Sequence, residues 1–386
     1  MKIALIRQDY HKYGGAERYV YNLSRELAKR GHHIHIFAHT GEEELHQLNN
    51  STTSMNPITF HRVPVLGGAA FLRTLSFAIF CRRLLKKESF DIIHSFDRTL
   101  YQDIYRAGDG CHREWLKRSL ALTSSPPARL AIRLNLLHLI LLFLEREVFK
   151  KSKKIIAIAK VGKEEIIKHY GTNPRDITVV YNGVDGEEFK PDNKRRFGVN
   201  TRRQSHLAED DFVILFVGSG FRRKGLSFLI KAVALLKEEK VKLLIVGKDR
   251  KRPYSRLVKK LGLEDKVIFT GGSRETYRFY AAATIFVFPT LYEPFGNVCL
   301  EALSSGLPLI VSRSSGAAEI ITERKEGFLL NNPEDPEEIA RKIKMTFDED
   351  LRKRLSRNAR CLAEKFTLAR NVEETLKVYT EVIRKP

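Results

Sequence analysis

"TIFVFPTLYEPFGNVCLEALSSGLPLIVS", residues 284–312, reads as strand, loop, helix and strand in one run. The flanking pieces, TIFVFPT and PLIVS, are rich in Ile, Val, Leu and Phe, as strands are when helices cover both sheet faces. Between them Pro294 permits the first helical turn, Gly296 allows a close backbone approach, and a helix is expected over 296–305. Strand, helix, strand in this order is the βαβ unit of a parallel sheet. Glu293 falls in the loop and Glu301 inside the helix.

The same grammar runs outward in both directions. "DFVILFVGSG", a helix over 224–238, "KLLIVGK", a helix over 254–262, "KVIFTGG" and a helix over 275–283 lead up to it. A helix over 317–322 and "GFLL" follow, which predicts one doubly wound domain over 211–367. Upstream, strands at 1–8 and 32–39 flank "GGAERYVYNLSRELAKRG", an amphipathic helix with Val20, Leu23 and Leu27 inward and Gly31 as its stop. "ITFHRVPV", a helix near 69–88, "FDIIHSF", "DIYRAG", a long helical stretch over 112–150, "KIIAIA", a helix from 160 and "ITVVYNGVD" extend this into a second α/β domain over 1–190. The polar run "KPDNKRRFGVNTRRQSHLAEDD" carries almost no strand or core signal and reads as a linker, placed at 191–210. Helices near 336–346, 350–365 and 368–384 close the chain, and the segment 368–386 is expected to pack back onto the first domain. Two such domains joined by a linker make a cleft, and ligands of such sheets bind outside the carboxyl ends of the strands.

Composition narrows the partners. The chain has 386 residues, 43% hydrophobic and 30% charged, which fits two globular domains. A formal net charge of +22 calls for an anionic partner: nucleic acid, an acidic membrane surface or a phosphorylated substrate. No paired Cys/His finger, aromatic RNA-binding motif or basic region with heptads is visible, which argues against nucleic acid. Cys81, Cys111, Cys299 and Cys361 are widely separated, so neither a disulfide framework nor a zinc site is signalled, and a reducing cytoplasm fits. Arg7 interrupts the apolar start too early for a signal peptide.

Three stretches carry the chemistry. In 293–301 the N–H groups of Phe295, Gly296, Asn297 and Val298, aligned with the helix dipole, suit a phosphate or pyrophosphate. Carboxylates on either side can accept hydrogen bonds from hydroxyls on either side of that phosphate, the shape of a nucleotide sugar. Spacing alone also fits an ordinary helix start with one acid near its cap and one solvated. "GSGFRRKG" (218–225) sets Arg222, Arg223 and Lys224 after a strand, where cations suit a departing diphosphate, although a basic loop is often only solvated surface. "YGGAER" (13–18) is a third strand-to-helix turn in which Gly14 and Gly15 permit close approach; it is neither a P-loop nor a full G-x-G-x-x-G.

Together with "DIIH" (91–94), "NGVD" (182–185) and "SGAAEII" (315–321), these stretches resemble the family 4 glycosyltransferases of GT-B fold over nearly the whole chain. Within the family, "YRAGDGCHREWLKR" (105–118) is similar to members that glucosylate a lipopolysaccharide core. The resemblance implies two Rossmann-like domains facing across a cleft, retention of anomeric configuration and no metal. It implies a nucleotide-sugar donor, UDP-glucose first, with GDP-mannose and ADP-heptose as alternatives, and a phosphorylated saccharide or glycolipid acceptor. Glu301 would bind ribose hydroxyls and Glu293 the hexose, while Arg223 and Lys224 would clamp the diphosphate. Gly14 and Gly15 would lie against the donor phosphate or the acceptor, and Asp103 and Asp109 would face the anomeric carbon or acceptor hydroxyl. Many members have an arginine where Ser219 stands and a histidine where Asp109 stands.

Two further readings complete the sequence. Asp348-Glu349-Asp350 reads as a helix cap rather than a metal motif. "RLAIRLNLLHLILLFLEREVFKK" (129–151) has an apolar core too short to span a bilayer, and is expected as a buried domain helix, with a membrane-interface helix as the alternative. With "FLRTLSFAIFCRRLLKK" (71–87) it leaves peripheral contact with an anionic membrane open for a cytoplasmic protein.

Overall fold

The computed structural model describes residues 1–51, 56–123, 125–236 and 240–384. Runs of apolar residues buried on both faces build two separate parallel sheets, one in each compact unit. Met1–Tyr181 with Leu368–Pro386 form the first unit, and Asn182–Thr367 the second.

In the first unit the strands are β1 (Lys2–Ile6), β2 (His33–Ala38), β3 (Thr59–Arg62), β4 (Ile92–Ser95), β5 (Ile104–Ala107), β6 (Lys154–Ala157) and β7 (Ile177–Val179), in the order β3-β2-β1-β4-β5-β6-β7. Its helices are α1 (Ala16–Lys29), α2 (Glu42–Ser51), α3 (Ala70–Leu85), α4 (His112–Ala121), α5 (Pro126–Leu134), α6 (Leu136–Lys151) and α7 (Lys160–Tyr170). In the second unit β8 (Phe212–Val217), β9 (Val241–Val246), β10 (Val267–Gly271), β11 (Ile285–Phe288), β12 (Leu309–Ser312) and β13 (Gly327–Leu330) take the order β10-β9-β8-β11-β12-β13. Helices α8 (Val199–Gln204), α9 (Leu226–Ala234), α10 (Arg252–Lys260), α11 (Thr276–Ala282), α12 (Asn297–Ser304), α13 (Pro336–Met345) and α14 (Glu349–Ala363) accompany it. The expected extension of α9 to 238 falls in part outside the described residues. In both sheets the order reverses beside the first strand, between β1 and β4 and between β8 and β11. Ligands of open parallel sheets bind at the carboxyl side of such reversals.

The chain's last helix, α15 (Leu368–Arg384), belongs to the first unit. Tyr19 Oη donates to Asn371 Oδ1 at 2.8 Å, Asn371 Nδ2 donates to the Tyr181 carbonyl at 2.5 Å, and the Tyr379 hydroxyl lies 2.7 Å from Nδ1 of buried His94. Asp348 caps α14, accepting from the N–H groups of Asp350 and Leu351.

Three expectations are corrected. Residues 191–210 are not a bare linker: a short π turn (Lys194–Gly198) and α8 pack on α11, with Phe197 and Tyr277 rings 5.3 Å apart. Gly198 makes this possible, since a Cβ there would lie 3.0 Å from the Ala281 carbonyl oxygen. The stretch 112–150 is three helices, because Pro126 starts α5 and Asn135 caps α6 by accepting from Leu137 N–H, leaving a 51° bend between α5 and α6. The segment 129–151 is not buried along its length: α5 buries no residue, Leu130, Leu134, Leu136, Leu139 and Phe143 are exposed, and burial begins at Leu144.

Candidate functional site

In the second unit, the turn after β8 is stitched to the loop after β11. Gly225 has φ 72°, and a Cβ there would stand 2.0 Å from the Pro289 carbonyl oxygen, so only glycine lets the two loops touch. The Arg223 carbonyl accepts from Leu291 N–H at 2.8 Å and from the Thr290 hydroxyl at 3.2 Å. The Arg223 side chain returns the contact, its Nη1 donating to the Tyr292 carbonyl at 2.8 Å and to Glu293 Oε2 at 2.7 Å. Lys224 is buried beside Gly218, with its ammonium 5.3 Å from the Phe288 ring centroid. Burial lowers the pKa of Lys224, and the charge of Glu293 opposes that fall.

Glu293 is held along its backbone as well, donating from its N–H to the Ser314 carbonyl at 3.2 Å and accepting from Gly316 N–H at 3.0 Å. Gly296, at φ 96°, then turns the chain into α12. The Phe295 carbonyl accepts from Ala317 N–H at 2.9 Å and the Ser315 hydroxyl at 2.8 Å, tying the SGAAEII segment to this loop. Asn182 Nδ2 donates to Asn297 Oδ1 at 2.6 Å, which brings NGVD to the amino end of the same helix. One turn on, Glu301 Oε2 accepts from Tyr280 Oη at 2.8 Å. Glu293 and Glu301 both act electrostatically on Lys224 and on buried Cys299, whose pKa burial pushes well up.

Arg223, Lys224, Glu293, Phe295, Gly296, Asn297, Val298 and Glu301 are therefore gathered at the carboxyl edge of the second sheet. Two cations and a helix amino end offer positive potential there, flanked by two carboxylates. Such a set can hold a diphosphate and two hydroxyl-bearing groups. The pairing of Arg223 with Glu293 is the element that spacing alone did not disclose.

In the first unit, the centre of the corresponding edge is Arg7, directly after β1. It pairs with Glu17 at 2.7 Å, Asp97 at 3.0 Å and Asp109 at 3.7 Å. Burial works to lower the Arg7 pKa, but Asp97, Asp109 and Glu17 together raise it above its ordinary value. Asp97 also accepts from Gln8 N–H at 2.5 Å; burial raises its pKa against the pull of Arg7. Asp109 keeps 46% of its side chain exposed, more than the other two carboxylates of the cluster, so it can meet a ligand. Gly14 has φ 96° and a Cβ there would come within 2.4 Å of the Glu17 carboxylate, whereas Gly15 has open space around it.

Asp103 is not part of this edge. It precedes β5, at the amino end of the strand, where Oδ2 accepts from Ile93 N–H at 2.9 Å and Oδ1 pairs with Lys153 at 2.9 Å. Its carboxylate braces β4 against β5, at the opposite end of β5 from Asp109. Arg7, Glu17 and Asp97 were missed, although Arg7 breaks an apolar strand, Glu17 lies within GGAER and Asp97 follows FDIIHSF. Glu145 was hidden in the apolar stretch: fully buried, it accepts from His112 N–H at 2.7 Å and Tyr170 Oη at 2.5 Å, and pairs with Arg98 at 3.0 Å. Arg98 also donates to the Gly110 carbonyl at 3.2 Å, so Glu145 anchors the loop that carries Asp109.

Two family models divide the chain between them: "Glycosyltransferase Family 4" matches residues 13–188 and "Glycosyl transferases group 1" matches residues 199–361. Among curated proteins, an uncharacterized glycosyltransferase of Methanocaldococcus jannaschii is 27% identical over 98% of each chain. The lipopolysaccharide glucosyltransferase WaaG of Escherichia coli is 26% identical over 94% of each chain. The crystal structure of WaaG, a glycosyltransferase involved in lipopolysaccharide biosynthesis, superimposes with a TM-score of 0.82 at 25% identity, covering 98% of this chain and 99% of that one.

Proposed function

This chain belongs to glycosyltransferase family 4, with the GT-B fold, and on that premise we propose that it transfers glucose from UDP-glucose, with retention, to a lipopolysaccharide-core or similar phosphorylated glycolipid acceptor. The observation that carries the donor half is the Arg223–Glu293 pair beside the amino end of α12, with Lys224 and Glu301 on its flanks. The diphosphate of the donor lies on the N–H groups that open α12 and takes Arg223 from Glu293. The freed Glu293 carboxylate then accepts from hexose hydroxyls, and Glu301 accepts from the ribose. As the glycosidic bond breaks, negative charge grows on the diphosphate, and Arg223, Lys224 and the helix dipole stabilise it in place. With that much fixed positive charge, the reaction asks for no metal. The glucosyl and lipopolysaccharide assignments lean on the likeness to WaaG.

The first unit serves the acceptor. Gly15 leaves room at the start of α1, and Asp109 faces the acceptor hydroxyl, with Arg7 paired to it at 3.7 Å. Asp103 has no catalytic part in this reading. No single described helix is long and apolar enough to cross a membrane. The exposed apolar side chains of α5 and α6, with Arg129 and Arg133 among them, suit peripheral attachment to the inner face of an anionic cytoplasmic membrane. Replacing Arg129 and Arg133 of α5 by Ser, and separately Arg82, Arg83, Lys86 and Lys87 around the end of α3, should lower co-sedimentation with anionic vesicles, and unchanged co-sedimentation of both variants discards that contact.

The direct test incubates the full chain with UDP-glucose and a lipopolysaccharide core truncated before its first glucose, and follows UDP release with the mass of the acceptor. A gain of one hexose supports the reading. Transfer only from GDP-mannose or ADP-heptose would move the donor assignment while keeping the enzyme class.

A further inference from the structure

Among the described residues, His35, His61 and Glu88 each offer one ligand atom within 4.8 Å of the others. They belong to the first unit and share no residue with the Arg7 cluster. Parallel pairing of β2 with β3 sets Phe37 opposite His61, and the two-residue period of a strand then places His35 on the same face. Nδ1 of His35 lies 2.8 Å from Nε2 of His61. Glu88, exposed after α3, comes within 4.0 Å of the other ring nitrogen of His61.

Both rings are fixed by packing. His61 stacks on Phe37 with centroids 4.4 Å apart and planes 3° from parallel, and His35 meets the edge of Phe90 at 5.2 Å. Ligands already held in orientation lose little freedom when an ion arrives. One cation competes for the carboxylate: Lys2 Nζ pairs with Glu88 Oε2 at 3.0 Å and rests 4.8 Å from the Phe90 ring centroid.

We propose that His35, His61 and Glu88 form a site for a divalent transition-metal ion of the Zn²⁺, Cu²⁺ or Ni²⁺ class, which displaces Lys2 from Glu88. Two imidazoles and one carboxylate are the donor set such ions prefer over Mg²⁺ or Ca²⁺. Each imidazole must give a lone pair, so the proton now shared between the rings moves to a nitrogen facing away from the ion. Three protein ligands leave the remaining coordination positions to water. The site shares no residue with the donor set, and its occupation is independent of the glycosyl-transfer reading.

The test uses the full chain without an affinity tag, titrated calorimetrically with Zn²⁺. One equivalent should bind, His61→Phe should weaken binding by about tenfold or more while keeping the ring stack, and Glu88→Gln should weaken it in the same direction. Lys2→Met should tighten binding, an effect that a merely structural role for these residues does not produce. With Cu²⁺ in place of Zn²⁺, electron paramagnetic resonance should show two nitrogen ligands. Absence of saturable Zn²⁺ binding, or equal affinity in wild type, His61→Phe and Glu88→Gln, overturns the proposal. Because Glu88 is exposed, its substitution keeps the test decisive even if His61→Phe does not fold.

Discussion

Arg223 donates a 2.7 Å hydrogen bond to Glu293, so the cation assigned to the diphosphate and the carboxylate assigned to the sugar hold each other in place. Charge-assisted pairs of this geometry fix orientation, and exchanging one partner for a ligand reuses that order rather than creating it. The pair also accounts for Glu293 in a strongly basic chain, while Glu301, eight residues on, is held by Tyr280 at the same helix entrance.

Glu293 and Glu301 should separate in kinetics. Glu301→Ala should raise the KM for the donor, because the ribose contact is made equally in the ground and transition states. Glu293→Ala should lower kcat by about a hundredfold or more with a smaller change in donor affinity. Steady-state kinetics on both variants check this, and wild-type values in both would remove these residues from the site.

Gly225→Ala should destabilise the second unit. A φ of 72° combined with a 2.0 Å approach to the Pro289 carbonyl leaves alanine no place without moving the loop. A cost of at least about 1–3 kcal/mol is expected from the backbone strain alone. Denaturant unfolding compared with Gly15→Ala, where no atom lies within 4 Å of the added carbon, gives the control.

Glu145→Ala should be among the more damaging single changes in the first unit. It leaves the Arg98 guanidinium buried without its counter-charge, and breaking such a pair costs about 3–5 kcal/mol. Glu145→Gln keeps the volume and some hydrogen bonds. It should retain the fold at lower melting temperature and reduce kcat, because the loop bearing Asp109 loses its anchor while the donor residues are untouched.

Acid should weaken the first unit through His112. Burial first, and then the nearby Arg98 charge, lower its pKa to about 4 against an ordinary value of 6.5, while Glu145 and Asp109 oppose the fall. The unfolded chain therefore binds the extra proton between about pH 6.5 and 4, so this stabilisation is complete above that window and is lost as pH falls through it. Melting temperature against pH should be flatter in that window for His112→Gln, and an unchanged slope would assign the acid sensitivity elsewhere.

Strands such as FVILFV and IFVF were legible because burial on both faces leaves a continuous apolar signature, and the loops that follow them carry the site. The residues assigned to the donor lie in two such loops, and the strand reversal beside β8 brings those loops together. Composition did not distinguish α5 from a core helix, since apolar content does not say whether a partner covers it. The helical character of 191–210 depends on Phe197 and Gly198 meeting α11, a contact far away in sequence. Asp103 illustrates another limit: a carboxylate before a short strand and one after it look equivalent in a sequence, yet the strand carries them to opposite edges of the sheet.

The most direct measurement is the shift in melting temperature of the wild type and of Glu301→Ala with UDP, GDP and ADP in turn, since a ligand that binds only the folded chain stabilises it by mass action. UDP should stabilise the wild type more than the other two, and that shift should be lost in Glu301→Ala. No shift with any nucleotide at millimolar concentration, or a UDP shift that survives in Glu301→Ala, would contradict the proposed donor site.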